Sequence, residues 1–270
     1  MLPADIVIES SGGTRSARDA KTGAPVAIGP YEKMSKSKKN VVDPDEIVRT
    51  YGADTARWFM LSDSPPERDV EWSEAGIEGA ARFVQRVWRL INEAKARIDA
   101  GSERLGDKAE AEALIRIVHK TTASIETELA GLRFNRAVAM IYELTNVIAK
   151  FMADLEDEPC LSELSALRLS INNLVQMFAP MMPHLAETCW RELDQKGLVC
   201  DAPWPTPDPA YLVEDSVVMP VQMNGKKRGE ITVPKDAPQD EVINAALSLD
   251  VVTRMLDGRE PTKGRGVANR

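Results

Sequence analysis

Lys33, Lys36, Lys38 and Lys39 crowd a seven-residue segment, with the hydroxyls of Ser35 and Ser37 set between them. Lysine carries a compact positive charge on a flexible stem, and serine adds a neutral hydrogen bond. A helix is predicted to start near Asp43 with Pro44 in its first turn, which supplies unpaired backbone N–H groups and the positive end of a helix dipole. This set of groups suits phosphate. Charge alone would equally fit a solvated loop, a localisation signal or a non-specific polyanion patch, so the order of the residues has to decide. Just upstream, Gly29-Pro30 fits either a hinge that lets the segment open and close or an ordinary turn.

The elements that must position this segment follow from the hydrophobic pattern. Before it, Ile6-Val7-Ile8 and Ser10-Ser11-Gly12-Gly13-Thr14 suggest a hairpin or an irregular lead-in, with Gly12-Gly13 as a turn because no Gly-Lys-Ser/Thr follows. After it, a helical pattern runs from Asp43 to Ser62 and is interrupted at Tyr51-Gly52, where glycine can end one helix and Asp54 can stand near the start of the next. Asp54 and Arg57, three apart, are expected to pair on one face. Ser64-Pro65-Pro66-Glu67-Arg68-Asp69 breaks the chain. A long helix then begins at Ser73 or Glu74, with Ile77, Ala81, Val84, Trp88, Ile91 and Ile98 as its buried stripe. Trp58, Trp72 and Trp88 read as core. Arg82, Arg86 and Arg89 share another face, either for nucleic-acid phosphates or as a solvated surface partly paired with acids.

Three or four further amphipathic helices are marked by Leu114, Val118, Thr121, Ile125 and Leu129; by Val138, Ile141, Thr145, Ile148 and Met152; by Leu164, Leu167, Ile171, Leu174 and Phe178; and by Leu185, Cys189, Trp190 and Leu193. Short connections between them predict an antiparallel bundle. Pro203, Pro205, Pro207 and Pro209 make residues 201–215 a stiff extended spacer. Beyond it, Val217 to Met223, the turn Asn224-Gly225, and Lys226 to Val233 predict a β-hairpin, followed by a helix holding Val242, Ala245, Ala246 and Leu249. Lys226, Lys227, Arg228, Arg254, Arg259, Lys263 and Arg265 make this the most basic end of the chain, suited to phosphate contact or to a solubilising surface.

The 270 residues carry a net charge of -8, with 43% hydrophobic and 28% charged residues, which is ordinary for a globular protein and argues against wrapping nucleic acid by charge alone. No apolar run reaches the length of a membrane span and no export signal is expected, so the sequence points to a cytoplasmic protein. Cys160, Cys189 and Cys200 lack Cys-x-x-Cys spacing, and neither they nor His119 and His184 suggest a metal site; reduced thiols are expected. His184, near a helix start, is expected to be a hydrogen-bonded structural residue.

Lys33-Met34-Ser35-Lys36-Ser37 resembles the second signature of the class I aminoacyl-tRNA synthetases. The continuation Asn40-Val41-Val42-Asp43-Pro44 through Tyr51-Gly52-Ala53-Asp54-Thr55-Ala56-Arg57-Trp58 resembles the bacterial-type leucyl-tRNA synthetases. Arg133-Phe134-Asn135 and Ala179-Pro180-Met181-Met182-Pro183-His184-Leu185-Ala186-Glu187 are similar to landmarks of that family's anticodon-binding helical domain, and Val221 to Lys226 resembles its small C-terminal domain. The resemblance implies a mainly α fold, an antiparallel helical bundle preceded by the lysine-loop region and followed by a small α+β C-terminal domain. The expected boundaries are 1–64 for the lysine loop at the end of a catalytic domain, 65–200 for the helical domain, 201–215 for the Pro-rich linker and 216–270 for the C-terminal domain.

It further implies ATP as substrate, brought with Mg2+, its phosphates met by Lys33, Met34, Ser35, Lys36 and Ser37. Lys33 and Lys36 would be catalytic, Lys36 foremost. Arg82, Arg86, Arg89, Lys226, Lys227 and Arg228 would be the candidates for contacting tRNA(Leu). The resemblance covers only the C-terminal third of such an enzyme: no His-Ile-Gly-His signature, nucleotide-fold strand series, amino-acid pocket or editing domain is found. Leucine would be reached through that missing half, for which a companion N-terminal polypeptide is one source, and the chain by itself is expected to be inactive. The alternatives are a non-enzymatic tRNA-binding module, the small subunit of a split synthetase, or a generic helical interaction protein. The glycine-rich basic tail Lys263 to Arg270 departs from the apolar strand the family supplies there.

Overall fold

The computed structural model describes residues 6–11, 14–30, 32–38, 40–213, 216–223, 226–235 and 237–256. Lys39, the turn residues Gly12, Gly13, Asn224 and Gly225, and the tail with Arg259, Lys263 and Arg265 lie outside the described residues.

The lead-in is a sheet. Strands β1 (Ile6–Ser11) and β2 (Thr14–Asp19) pair antiparallel with Ile6 opposite Asp19, and β2 pairs with the short β3 (Pro25–Val26). The lysine segment then leads into α1 (Pro44–Tyr51), whose N-cap Asp43 accepts the Asp45 N–H at 3.0 Å, with Pro44 at the first helical position as expected. At Gly52 the chain takes φ +87, a conformation that side chains with a Cβ seldom adopt, and turns directly into α2 (Ala53–Asp63).

The bundle consists of α3 (Glu74–Ala100), α4 (Ala109–Ala130), α5 (Phe134–Asp154), α6 (Leu161–Phe178) and α7 (Pro183–Glu192). Ser73 caps α3 by accepting the Gly76 N–H. All the expected core positions of α5 (Val138, Ile141, Thr145, Ile148, Met152) and of α6 (Leu164, Leu167, Ile171, Leu174, Phe178) are buried. The α3 stripe needs correction: Ile77, Ile91 and Ile98 are buried, but Ala81, Val84 and Trp88 are only half-buried, and Ala80, Phe83, Val87, Leu90 and Ala94 fill the core instead. On α4 the buried threonine is Thr122 and not Thr121.

An aromatic cluster joins α2, α3 and α5. Trp58, fully buried, stacks on Phe83 at 4.9 Å and donates its indole N–H to the Tyr142 hydroxyl at 3.0 Å. Trp72 and Trp88, expected as core, are half-buried at its edge. Gly76 permits a close approach there, because a Cβ would stand 2.6 Å from the Phe59 ring. Cys160, Cys189 and Cys200 are free thiols; burial pushes the Cys189 thiol up to about 12, so it has no thiolate chemistry near neutrality.

The linker differs from the expected extended spacer. It follows a 3-10 turn at Val199–Asp201 and contains a short helix, α8 (Pro209–Leu212), which lies against α4. Polar and aromatic groups of both elements make that contact. The buried His119 accepts the Asp208 backbone N–H at Nδ1 (3.1 Å) and stacks on the Tyr211 ring at 4.9 Å, the planes 4° apart, with the Arg116 guanidinium over the far ring. The accepting nitrogen must be unprotonated. Burial holds the His119 imidazole below its usual value, with the Asp208 carboxylate opposing that shift. The contact is therefore at full strength above the unfolded value, about 6.5, and is lost as pH falls through the lower folded value. In an NMR titration, Tyr211→Ala is expected to move the His119 midpoint up towards about 6.5 by opening the ring to water; an unmoved midpoint would show that the stack does not shield it.

Strands β4 (Ser216–Met223) and β5 (Lys226–Pro234) form the expected hairpin, antiparallel with Val217 opposite Val233 and a register shift after Val221. Helices α9 (Gln239–Leu247) and α10 (Asp250–Leu256) pack on β5, with Ile231, Val233 and Val252 buried between them. No helix among the described residues is long and apolar enough to cross a membrane.

Candidate functional site

The lysine segment is an ordered loop. Within it, Lys36–Lys38 form one 3-10 turn. Ser35 starts that turn: its carbonyl accepts the Lys38 N–H at 3.2 Å, its hydroxyl oxygen lies 3.3 Å from the same nitrogen, and its hydroxyl meets that of Ser37 at 3.2 Å. A side chain five positions further on braces the loop from outside. The Asn40 carboxamide accepts the Ser35 N–H at 2.8 Å and donates to the Lys33 carbonyl at 3.4 Å.

The lysines divide by partner. Lys38 Nζ lies 2.9 Å from the Glu32 carboxylate, both side chains about half exposed. Lys33 and Lys36 are exposed and have no carboxylate partner among the described residues. Two ammonium groups thus remain available to a phosphate, on a backbone whose shape is fixed by neutral hydrogen bonds. Met34 and Ser37 complete the predicted set, Met34 with its side chain exposed.

The base of the loop is joined to the bundle through α2, and this corrects the expected Asp54–Arg57 pair. Asp54, only 7% exposed, reaches the start of α7, where its carboxylate accepts the Leu185 N–H at 2.6 Å and the His184 N–H at 3.4 Å. It also bonds His184 Nδ1 at 2.9 Å. The α7 N-cap, Met182, makes no side-chain cap of its own, so Asp54 serves as a cap supplied from another helix. Arg57 turns to the other side of the same corner and donates to the Pro180 carbonyl at 2.7 Å and the Met181 carbonyl at 3.0 Å. The two side chains hold the α6–α7 corner instead of each other. His184 has the structural role expected of it.

Of the arginines on α3, Arg86 is half-buried and donates to Asn146, while Arg82 stands 3.8 Å from Glu78. Arg89 is exposed with no partner among the described residues. In the hairpin, Lys226 is exposed, Lys227 pairs with Glu230, and Arg228 is half-buried with its Nε unbonded. These two sets lie on separate elements, α3 and β5. Among the described residues, no group of three or more His, Cys, Asp or Glu could hold a metal ion. Sequence reasoning missed the Asn40 brace, the Asp54 cap and the His119–Tyr211 stack.

A family model described as tRNA synthetases class I (I, L, M and V) matches residues 29–73, and one described as the anticodon-binding domain of tRNA ligase matches residues 111–243. The chain is 51% identical over 262 residues to the leucine–tRNA ligase of Agrobacterium fabrum and 49% identical over 263 residues to that of Afipia carboxidovorans. Each match takes in 97% of this chain and 30% of the relative, so the chain spans less than a third of the length of these curated proteins. Among solved structures it is similar to the LeuRS of Agrobacterium radiobacter K84 in a ternary complex with tRNA and LeuAMS. That match has a TM-score of 0.70 and 26% identity over 88% of this chain and 30% of that one.

Proposed function

Since the chain belongs to the class I tRNA synthetases, as a portion of the leucine–tRNA ligase type, we propose that it supplies the phosphate-stabilising loop and the tRNA-contacting domains of such an enzyme. In this reading residues 1–64 end the catalytic domain, 65–200 are the helical tRNA-stem domain, 201–215 the linker and 216–270 a small C-terminal tRNA-binding domain. Lys33 and Lys36 stabilise charge on the ATP phosphates while the leucine carboxylate attacks, and Met34, Ser35 and Ser37 shape the loop around them. Mg2+ would arrive with ATP. Leucine is held by a catalytic half outside this chain, on the same or a companion polypeptide. The observation that carries the reading is the pair of ammonium groups, without a carboxylate partner among the described residues, on a braced loop inside the segment matched by the class I model. Such preorganised charge acts without reorganising during the reaction. A non-enzymatic binding module is not favoured, because the relatives are ligases.

The RNA part of the proposal is tested by fluorescence anisotropy of the purified chain with a leucine tRNA and an unrelated tRNA across a salt series. The expected result is preference for the leucine tRNA, with affinity falling steeply as salt rises. Arg89→Ala should weaken both interactions and flatten the salt slope by about one unit. Equal or absent binding at low salt would overturn recognition by these domains.

A further inference from the structure

We infer that Asn40 is a positioning residue for Lys33 and Lys36, its carboxamide standing in for a neighbouring strand along the loop backbone. The inference rests on the phosphate reading of the loop given above.

In an extended segment the carbonyl of one residue and the N–H two residues later face the same side, and a parallel strand would engage both through the N–H and C=O of a single residue. Here the carbonyl belongs to Lys33, the N–H to Ser35, and the group that meets both is the side-chain amide of Asn40. The partners dictate its orientation, since an N–H must meet the oxygen and a carbonyl must meet the NH2. The amide therefore spans Met34 and pins the backbone on either side of it. Ser35, held in this way, opens the 3-10 turn that carries Lys36, so both free ammonium groups take their position from one side chain.

Asn40 is in turn fixed to a rigid element. Only Val41 and Val42 separate it from Asp43, which caps α1, and α2 beyond Gly52 is locked to the α6–α7 corner by Asp54 and Arg57. The loop is thus tied through Asn40 to the base of the bundle rather than left to find its shape on binding. Other side chains fail for definable reasons. Alanine leaves the Ser35 N–H and the Lys33 carbonyl to water. Aspartate keeps an acceptor for Ser35 but loses the donor to Lys33, and adds a negative charge beside the two lysines. Glutamine carries the amide one methylene too far out.

The test uses the full 270-residue chain and two readouts: amide hydrogen exchange at Ser35, and titration with inorganic triphosphate followed by amide shifts in the loop. Asn40→Ala is expected to speed Ser35 exchange about fivefold or more and to weaken triphosphate binding by about tenfold. Asn40→Asp should keep most of the Ser35 protection while weakening triphosphate at least as much. Circular dichroism and the melting temperature should stay at the parent values in both, because Asn40 lies outside the core. Unchanged Ser35 exchange in Asn40→Ala, or unchanged triphosphate affinity in both variants, would overturn the inference. If the parent chain binds no triphosphate, the phosphate reading of the loop itself fails, and Ser35 exchange alone then decides whether the brace exists.

Discussion

Lys36→Ala is expected to lower leucine-dependent ATP–pyrophosphate exchange by roughly 100- to 1000-fold, the usual cost of removing one well-aimed donor from a preorganised charge site. The measurement needs a catalytic half, so it is made in a chimera in which this chain replaces the matching segment of a leucine–tRNA ligase. Lys36 lies in the 3-10 turn and has no carboxylate partner among the described residues. Lys38→Ala should cost far less, because its ammonium is already shared with Glu32. The contrast distinguishes a specific electrostatic role from general basicity, under which the two replacements would cost the same. The salt-dependent tRNA affinity of the Lys36 variant should equal that of the parent. Exchange within about threefold of the parent chimera would remove Lys36 from the mechanism.

The second large effect concerns stability. Asp54→Ala removes the side-chain cap from the start of α7 and leaves the Leu185 and His184 N–H groups without that acceptor. Losing an N-cap costs up to about 2 kcal/mol, and hydrogen bonds to a charged group about 1.5–3 kcal/mol. Because these descriptions overlap, the expected loss is about 3 kcal/mol, read as a lower urea midpoint for the helical segment. Asp54→Asn keeps one acceptor and should cost about 1 kcal/mol. His184→Ala should cost little, since that ring stands largely in solvent. A loss below about 0.5 kcal/mol for Asp54→Ala would mean that water replaces the cap without penalty.

What the sequence made legible follows the range of the interactions. The stripes of α5 and α6 were readable because apolar residues recur there at helical spacing against one consistent core. On α3 the stripe was rotated: Ala81, Val84 and Trp88 lie beside the true core line of Ala80, Phe83, Val87 and Ala94, since several neighbours bury a broad face of that helix. Asp54 and Arg57 have the spacing of an ion pair, yet their partners lie more than 120 residues away in sequence, beyond any local rule. The lysines were legible as chemistry. Asn40 was not, because its role depends on backbone directions that the loop acquires only on folding.

The stack of His119 on Tyr211 also sets how far the C-terminal hairpin can travel. From Tyr211 to the first strand residue, Ser216, there are five Cα steps, which span at most about 17 Å. Counted from Trp204, which packs on the bundle core, the tether would have twelve steps and a reach of about 40 Å. The volume open to the hairpin shrinks roughly 13-fold, and in the proposed tRNA-binding role its effective concentration for an RNA held by the bundle would rise by about the same factor. Acidification that protonates His119 would lengthen the tether, and in the proposed role it would cost avidity while leaving the candidate tRNA-contacting side chains unchanged.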